Sequence, residues 1–490
     1  MKTSKFIKPA MLLCAALLLH TFAQAQTQTA SVSINAATTH QKITGFGGFV
    51  NSPQFAYGAM SNVEIAKVWG KGSELKCNIM RLYIPTGSTT NPESSWSQAV
   101  TTAQYAKSLG LIVFASPWSM PAAWKSSNNT TGGSLNTANY GDYANYLNRF
   151  VTLMHTNGVE LDAISIQNEP DANVTYASCS WTGAQIVSFL TQYRSAINCK
   201  VIAPETMNIG SSAYVTALTA SNAINQYDIY GGHQYGWNGT PASISAISAK
   251  GKEIWMTEYL LNWASSSTAL TDVQPFSWAS QGFDFAKSIN TCMLADISAW
   301  IHYAAKRYYG MIGDGYGGTV NGEITKRGYI LAHYSKYVTG ATRIESAFSD
   351  ATLYGSSYLS VTGDSVIVVV MNPSNNPYSL TVNLPFNTTT GESITTTETA
   401  NLAEAAINLP AATATPAVGI SASSVTTLIF TKTGIGASIT QVKDETVVVS
   451  EEYYTPSGQR IYPSNNNLKG IYIVKSLMSD GSVRTKKVIY

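Results

Sequence analysis

Two glutamates occupy positions suited to acid–base and nucleophilic chemistry. Glu169 ends the apolar run ISIQN and precedes Pro170, and Glu258 ends the run IWMT. A carboxylate just past a buried strand, flanked by amide and aromatic residues, is a poor core residue. Cleavage of a glycosidic bond uses two such carboxylates, because one protonates the leaving oxygen while the other attacks the anomeric carbon or activates water. An ion pair or a helix cap is the alternative for either glutamate alone.

The two glutamates belong to a repeating pattern of short apolar strands and longer helical stretches in residues 45–338. Repeated strand–helix units predict a parallel sheet. About eight units in roughly 290 residues fit an α/β fold, a (β/α)₈ TIM barrel, with its chemistry at the carboxyl ends of the strands. Polar clusters fall at those ends: SPW at 116–118, QNE at 167–169, HQY at 233–235 and TEY at 257–259. The pattern predicts strands at 78–84, 111–116, 163–167, 200–203, 227–232, 253–257 and 299–303, and helices that include 140–157 and 183–198.

The pattern changes after about residue 340. Short β-branched runs separated by Thr-, Asn- and Ala-rich turns predict a side antiparallel β-sandwich over residues 339–435. Residues 26–44 alternate at 30–34 and are expected to add a strand to that sandwich. Residues 440–490 contain short β runs around a glycine-containing turn, which predict a small C-terminal β module.

The first 25 residues have the features of a secretory signal peptide. Lysines precede a short apolar run at 11–19, and Ala23-Gln24-Ala25 forms a cleavage signal. The run is shorter than the roughly 20 residues of a membrane-spanning helix, and no later segment qualifies. We therefore expect a bacterial protein that is secreted or displayed at the cell surface.

Cysteine and histidine spacing gives no indication of a metal site. No C-x-x-C pair occurs, and no histidine lies at zinc-finger spacing from a cysteine. His233 is expected to be a buried structural residue, and we expect neither a metal nor a cofactor. Three disulfide pairings and free thiols all stay open for the four cysteines of the mature chain: Cys77, Cys179, Cys199 and Cys292.

The overall composition excludes other classes of protein. Charged residues make up 12% of the chain, about half the usual share of roughly 25%, and the net charge is +2. The apolar content argues against disorder, and the absence of a basic run argues against a nucleic-acid binder. With 28 Tyr and 10 Trp, the chain suits a neutral or weakly acidic ligand such as a sugar. Core packing of these aromatic residues is the alternative.

Six segments occur in order between about residue 40 and residue 435. They are QKITGFGG (41–48), FASPWSMP (114–121), SIQNEPD (165–171), WMTE (255–258), KRGY (326–329) and HYSKYV (333–338). The first four resemble glycoside hydrolase family 30, and the last two are similar to its xylanase subfamily, subfamily 8. The resemblance implies a (β/α)₈ barrel with a side β-sandwich and hydrolysis with retention of anomeric configuration.

The resemblance also implies roles for individual residues. Glu169 matches the general acid/base of the family, and Glu258 matches the nucleophile. Asn168 matches the residue that contacts the sugar 2-hydroxyl, a contact that strengthens as the oxocarbenium ion forms. Trp118 matches an aromatic floor beneath the cleaved sugar. Tyr235 matches a tyrosine that can hydrogen-bond the nucleophile.

A further part of the resemblance concerns an acid branch on the substrate. Some members of the subfamily require a 4-O-methylglucuronic acid branch on xylan and hold its carboxylate with an arginine after the eighth strand. Arg307 matches that arginine and Tyr309 a partner tyrosine, and an arginine fork binds a carboxylate at two points. A surface arginine is the alternative. Tyr303 stands where a tryptophan is typical, and Leu260 and Trp263 replace a tyrosine and a serine. Whether the branch is required therefore stays open.

The C-terminal module resembles the sorting domains of the type IX secretion system of Bacteroidetes. The resemblance rests on GIYIV at 470–474 and KKVIY at 486–490. It implies the type IX machinery as a partner, and a small accessory β-domain is the alternative.

Together these inferences predict a secreted, monomeric, retaining endo-β-1,4-xylanase that prefers glucuronoxylan. Within the enzyme class, the alternatives are exo-acting release of xylobiose and cleavage of β-glucosidic bonds, as by a β-glucanase. The alternative from another class is a non-catalytic glycan-binding protein of the cell surface.

Overall fold

A computed structural model describes residues 26–51, 58–264, 267–434, 448–456, 460–461, 471–478 and 483–489. The signal peptide predicted for residues 1–25 lies outside these described residues. Within them the chain forms a closed barrel of eight strands, a nine-stranded sheet and a four-stranded C-terminal sheet. No helix in the described part of the chain has the length and apolar character needed to cross a membrane.

The elements follow one another along the chain with these bounds. The strands are β1 (Gln28–Lys42), β2 (Gly45–Val50), β3 (Ile79–Ile84), β4 (Ile112–Pro117), β5 (Ala163–Ser165), β6 (Lys200–Thr206), β7 (Ile229–His233), β8 (Glu253–Tyr259), β9 (Ala299–His302), β10 (Thr342–Phe348), β11 (Tyr354–Leu359), β12 (Ser365–Asn372), β13 (Tyr378–Asn383), β14 (Thr388–Thr396), β15 (Ala403–Thr413), β16 (Ala417–Ile420), β17 (Ser424–Thr431), β18 (Val448–Tyr454), β19 (Arg460–Ile461), β20 (Ile471–Met478) and β21 (Val483–Ile489). The α-helices are α1 (Asn62–Val68), α2 (Glu93–Ser108), α3 (Tyr140–Thr156), α4 (Gly183–Tyr193), α5 (Ser212–Thr219), α6 (Ser245–Ser248), α7 (Phe283–Leu294) and α8 (Lys326–Ser335). Short 3₁₀ turns lie at Ala122–Trp124, Thr137–Asn139, Arg194–Ala196, Pro241–Ser243 and Leu270–Asp272, and a π turn at Trp278–Gly282 leads into α7.

Strands β2 to β9 form the barrel, and the predicted (β/α)₈ architecture is confirmed. Neighbouring strands run parallel, and β9 pairs back onto β2 to close the sheet. The strands predicted from sequence do not include β2, because its glycines weaken the strand signal. All six residues of β2 are buried. A Cβ on Gly47 would lie 1.7 Å from the carbonyl oxygen of Ile79, so a glycine is needed where β2 approaches β3.

Amphipathic helices cover the barrel. Helix α3 buries Tyr143, Leu147, Phe150 and Met154, which recur every three or four residues on one face. Helix α4 ends at Tyr193, earlier than the predicted 183–198, and a 3₁₀ turn follows it. Its start is fixed by a capping box. The helices therefore hold the strands in place from outside by packing of their apolar faces.

The nine-stranded sheet confirms the predicted side β-sandwich. Its order is β15-β14-β17-β12-β11-β10-β1-β13-β16. Every neighbouring pair is antiparallel except β1 with β13. The N-terminal strand β1 lies between β10 and β13, which both follow the barrel in sequence. Val368, Leu380 and Phe430 belong to a separate buried core of this sheet. The C-terminal sheet has the order β19-β18-β20-β21.

A buried histidine joins the barrel to the sandwich. The ring of His333 on α8 lies with Nδ1 2.8 Å from the hydroxyl of Thr427 and Nε2 2.9 Å from that of Thr396. Burial, with a smaller effect of nearby Lys336, lowers the pKa of His333 to about 3. The ring is therefore neutral in the folded protein near neutral pH.

This histidine should make stability depend on pH. His333 binds a proton near pH 6.5 in the unfolded chain and only near pH 3 in the folded chain. Its contribution to stability is therefore complete above about pH 6.5 and is lost progressively as pH falls from 6.5 toward 3. The loss is about 1.4 kcal/mol per pH unit. His333→Gln lacks this titrating group. The difference in free energy of unfolding between wild type and His333→Gln should therefore shrink as pH falls. Urea unfolding measures this.

The matched control is His155→Gln, because the His155 ring is exposed. Wild type and His333→Gln with the same slope of stability against pH would contradict the prediction.

Candidate active site

A cavity of about 560 Å³ opens at the carboxyl ends of the barrel strands. Its size is that of a small-molecule or sugar-binding site. The residues that line it are Phe49, Asn51, Tyr83, Trp118, Glu169, Tyr176, Ala177, Met207, Tyr235, Glu258, Leu260, Trp263 and Tyr303.

The structure brings the two glutamates singled out from sequence together in this cavity. Glu169 follows β5, Glu258 lies near the end of β8, and both are buried. Three atoms lie within 4.8 Å of one another: one carboxylate oxygen of Glu169, one of Glu258 and a ring nitrogen of His233. Glu169 and the neighbouring Glu205 have φ values of +48° and +60°, a strained conformation for non-glycine residues that is common at functional sites.

Arg81 on β3 lies at the centre of the site. Its side chain is fully buried, and its Nη1 donates a short hydrogen bond to Oε2 of Glu258. Its Nη2 lies 2.6 Å from Oδ1 of Asn168 and 3.1 Å from Oε1 of Glu205. The guanidinium also stacks on Trp118, 4.8 Å from the ring centre. Burial disfavours the charge, but the carboxylates of Glu205 and Glu258 outweigh it and raise the pKa of Arg81.

His233 holds the other carboxylate. Its Nδ1 lies 3.0 Å from Oε1 of Glu169, and its Nε2 lies 3.8 Å from Glu205. Burial lowers the pKa of His233, but Glu258, Glu169 and Glu205 raise it to about 9 in total. The histidine is buried as expected, and it is an imidazolium that donates to Glu169 at neutral pH.

The two glutamates are perturbed in opposite directions. Burial raises the pKa of Glu169, but hydrogen bonds from His233 and Tyr176 outweigh burial and lower it below its usual value. Burial raises the pKa of Glu258, and the Glu169 charge adds to this, against the lowering effects of His233 and Arg81. Carboxylates this close titrate as a pair, so a change at one alters the proton affinity of the other.

Glu169, His233 and Glu258 also offer three ligand atoms with metal-site spacing. A metal ligand must be a neutral imidazole, whereas the raised pKa of His233 keeps it protonated. Arg81 supplies a second positive charge to Glu258. The donor set therefore fits a pair of carboxylates held by two cations rather than a metal centre.

Several aromatic residues predicted from sequence line the cavity. The Tyr235 hydroxyl donates to Oε1 of Glu258 at 3.2 Å. Trp118 is half-buried and meets Tyr83 edge-on at 4.6 Å between ring centres. Tyr303 stacks on Phe49 at 4.9 Å.

Arg307 and Tyr309 are placed differently, since neither is among the residues that line the cavity. Nη1 of Arg307 lies 3.2 Å from Oδ2 of Asp314, so its charge is already paired. Tyr309 is fully buried, with its ring 5.8 Å from that of Trp263 at the cavity wall.

Sequence reasoning missed Arg81, Glu205 and Tyr176. Arg81 interrupts the apolar strand IMRLYI, and a buried charge in a strand needs a partner. Glu205 lies near the carboxyl end of β6, which runs three residues past Ala203, so the rule that found Glu169 could have found it too. Tyr176 lies in a loop where no periodic pattern exists.

Comparison with known proteins agrees with this geometry. A family model described as "Glycosyl hydrolase family 30 TIM-barrel domain" matches residues 96–216. Glucuronoxylanase XynC of Bacillus subtilis (strain 168) is 33% identical over 355 residues, which cover 70% of this chain and 78% of that protein. The chain belongs to glycoside hydrolase family 30. It is therefore a glycoside hydrolase, as predicted.

Solved family 30 structures are similar over most of the chain. The subfamily 8 xylanase Xyn30A of Clostridium acetobutylicum matches with a TM-score of 0.70 and 28% identity, over 82% of this chain and 99% of that one. A family 30 endoxylanase of Clostridium papyrosolvens C71 matches with a TM-score of 0.69 and 27% identity, over 82% of this chain and 100% of that one.

The central arginine should be essential for stability. In Arg81→Met, two carboxylates stay buried without their cation, so the free energy of unfolding should fall by about 3–5 kcal/mol. Adding Glu205→Gln removes one of the unpaired buried carboxylates and should recover part of the lost free energy of unfolding. Guanidinium-induced unfolding measures both variants.

The matched control is Arg149→Met, a surface arginine paired with Glu93, which should cost no more than about 1 kcal/mol. The predicted coupling would be contradicted if the double variant lost as much free energy of unfolding as Arg81→Met and Glu205→Gln lose separately, added together.

Proposed function

We propose that this chain is a retaining endo-β-1,4-xylanase. The observation that carries the proposal is the separation of the two carboxylates, whose nearest described oxygens lie within 4.8 Å. Retaining glycosidases place their carboxyl groups about 5–5.5 Å apart, whereas inverting enzymes leave roughly 6.5–9.5 Å for a water molecule. The spacing therefore favours direct attack by one glutamate.

In the first step Glu258 attacks the anomeric carbon and Glu169 protonates the leaving oxygen. The contacts to Arg81 and Tyr235 fix both oxygens of Glu258 and orient it for attack. Once the glycosyl ester forms, Glu258 loses its charge, and this lowers the pKa of Glu169. Glu169 then suits the role of base toward the water molecule that hydrolyses the ester.

Xylan is the proposed substrate because the relatives are xylanases by name, including the glucuronoxylanase XynC and the subfamily 8 enzyme Xyn30A. The aromatic floor of Trp118 and the walls of Tyr303 and Trp263 offer stacking faces for a chain of neutral sugars. Exo-acting release of xylobiose and β-glucosidic cleavage are the alternatives, and the length of the products from one glucuronoxylan digest separates them.

We further propose that the protein is a secreted monomer. Residues 1–25 support export as a signal peptide. The likeness of residues 440–490 to type IX sorting domains supports delivery through that machinery to the cell surface or the medium.

We propose that an acid branch on xylan is preferred but not required. Arg307 is the candidate for the branch carboxylate, but Asp314 already pairs with it and would compete. Leu260 and Trp263 give the cavity wall an apolar face.

Replacing the proposed nucleophile tests the mechanism. Glu258→Gln keeps the side-chain shape but cannot form the ester, so xylan hydrolysis should fall by about 10³-fold or more while the protein still unfolds cooperatively. A reducing-sugar assay measures the loss. The exposed Glu160→Gln is the matched control and should keep full activity. Turnover by Glu258→Gln close to that of wild type would rule out the assignment.

The pair of Arg307 and Asp314 tests the branch proposal. Arg307→Ala should lower the ratio of activities on glucuronoxylan and on unbranched xylo-oligosaccharides by several-fold, because a charge-assisted contact is lost. Asp314→Asn should raise the same ratio, because it releases the arginine. The ratio of kcat/KM values on the two substrates is the measurement. A ratio unchanged in both variants would reject a carboxylate contact at Arg307.

A further inference from the structure

Both carboxylate oxygens of Glu169 are occupied in the free protein. His233 donates to Oε1 at 3.0 Å, and the Tyr176 hydroxyl donates to Oε2 at 2.5 Å. His233 is fully buried, whereas Tyr176 lines the cavity and is 45% exposed. Oε2 is therefore the oxygen on the cavity side, and Tyr176 covers it.

Proton transfer requires that same oxygen. A general acid must bring its proton within hydrogen-bond distance of the glycosidic oxygen. The Tyr176 hydroxyl already takes one acceptor position of Oε2 on the cavity side, so a glycosidic oxygen that receives a proton from Oε2 has to approach where that hydroxyl lies. The donated bond also favours the ionised form and lowers the pKa of Glu169, which is the wrong direction for an acid.

The loop that carries Tyr176 is fixed on both sides of it. The amide of Ala172 donates to the Glu169 carbonyl at 3.1 Å, and the amide of Ser178 donates to the Thr130 carbonyl at 3.0 Å. The buried Lys125 ammonium donates to the Ser178 carbonyl at 2.5 Å. Residues 173–177 between these anchors are exposed or half-buried. The ring of Tyr176 can therefore move without detaching the loop.

The other groups that face Glu169 do not have this freedom. His233 lies on β7, Arg81 on β3 and Glu258 on β8, and all three are buried in the barrel. Glu205 faces His233 and Arg81 from β6 and is also buried. Tyr176 alone among these described neighbours is exposed on a loop, so it is the one that an incoming ligand can displace.

We propose that Tyr176 is a positioning residue on the leaving-group side of the cavity, where its hydroxyl occupies the place on Glu169 that the glycosidic oxygen takes when substrate binds. Its ring then packs on the leaving sugar. The inference rests on the proposed retaining function. Displacement removes one hydrogen bond that stabilises the carboxylate, so Glu169 holds its proton more readily at the moment that the bond to be cleaved arrives.

Two substitutions separate the hydroxyl from the ring. In Tyr176→Phe the alkaline limb of kcat/KM on xylo-oligosaccharides should move up by about one pH unit, because Glu169 loses a donor in the free protein. Its KM should stay near that of wild type. Tyr176→Ala should show the same pH shift and a KM raised by up to about tenfold, because the stacking face is lost.

Tyr316→Phe is the matched control, since Tyr316 is an exposed tyrosine outside the cavity. Its KM and the alkaline limb of its kcat/KM profile should equal those of wild type. A Tyr176→Phe profile that superposes on the wild-type profile would overturn the inference, as would a KM unchanged in Tyr176→Ala. Those results leave the proposed function intact if wild type hydrolyses xylan with retention. A wild-type protein without that activity would overturn both.

Discussion

The site depends on the charge balance around one buried arginine. Arg81 and the His233 imidazolium face three buried carboxylates, those of Glu169, Glu205 and Glu258. Removing such charges from water costs far more than any single contact returns, unless each carboxylate has a partner at hydrogen-bond distance. The network meets that condition for Glu169, Glu205 and Glu258. Glu205 faces both cations, with its Oε1 3.1 Å from Nη2 of Arg81 and 3.8 Å from Nε2 of His233.

The barrel makes this arrangement possible. Arg81, Glu205, His233 and Glu258 come from β3, β6, β7 and β8, and Glu169 lies just past β5. The closed parallel sheet brings all of them to one end. The exposed part of the site lies on loops. Tyr176 is the clearest case, since it contacts Glu169 from a loop while the other groups that face Glu169 lie on strands.

The sequence is sufficient to predict the fold and to select two glutamates that share one cavity. Glu169, Glu258, Trp118 and Tyr235 stand in motifs at strand ends, and the barrel places all of them around one cavity. Strand β2 was not predictable from propensity because its glycines are required by close backbone approach rather than by strand preference. The partner of Arg307 was not predictable either, because Asp314 reaches it through an irregular loop. Contacts that depend on loop shape leave no periodic signal.

The central claim is that Glu258 attacks the sugar directly while Glu169 serves as acid and then base. The most direct test follows the first products of xylo-oligosaccharide hydrolysis by proton NMR, before mutarotation. If Glu258 attacks the sugar directly, the new reducing end appears first as the β-anomer, because two inversions restore the starting configuration. Initial release of the α-anomer would contradict it, because it would require water to attack in place of Glu258.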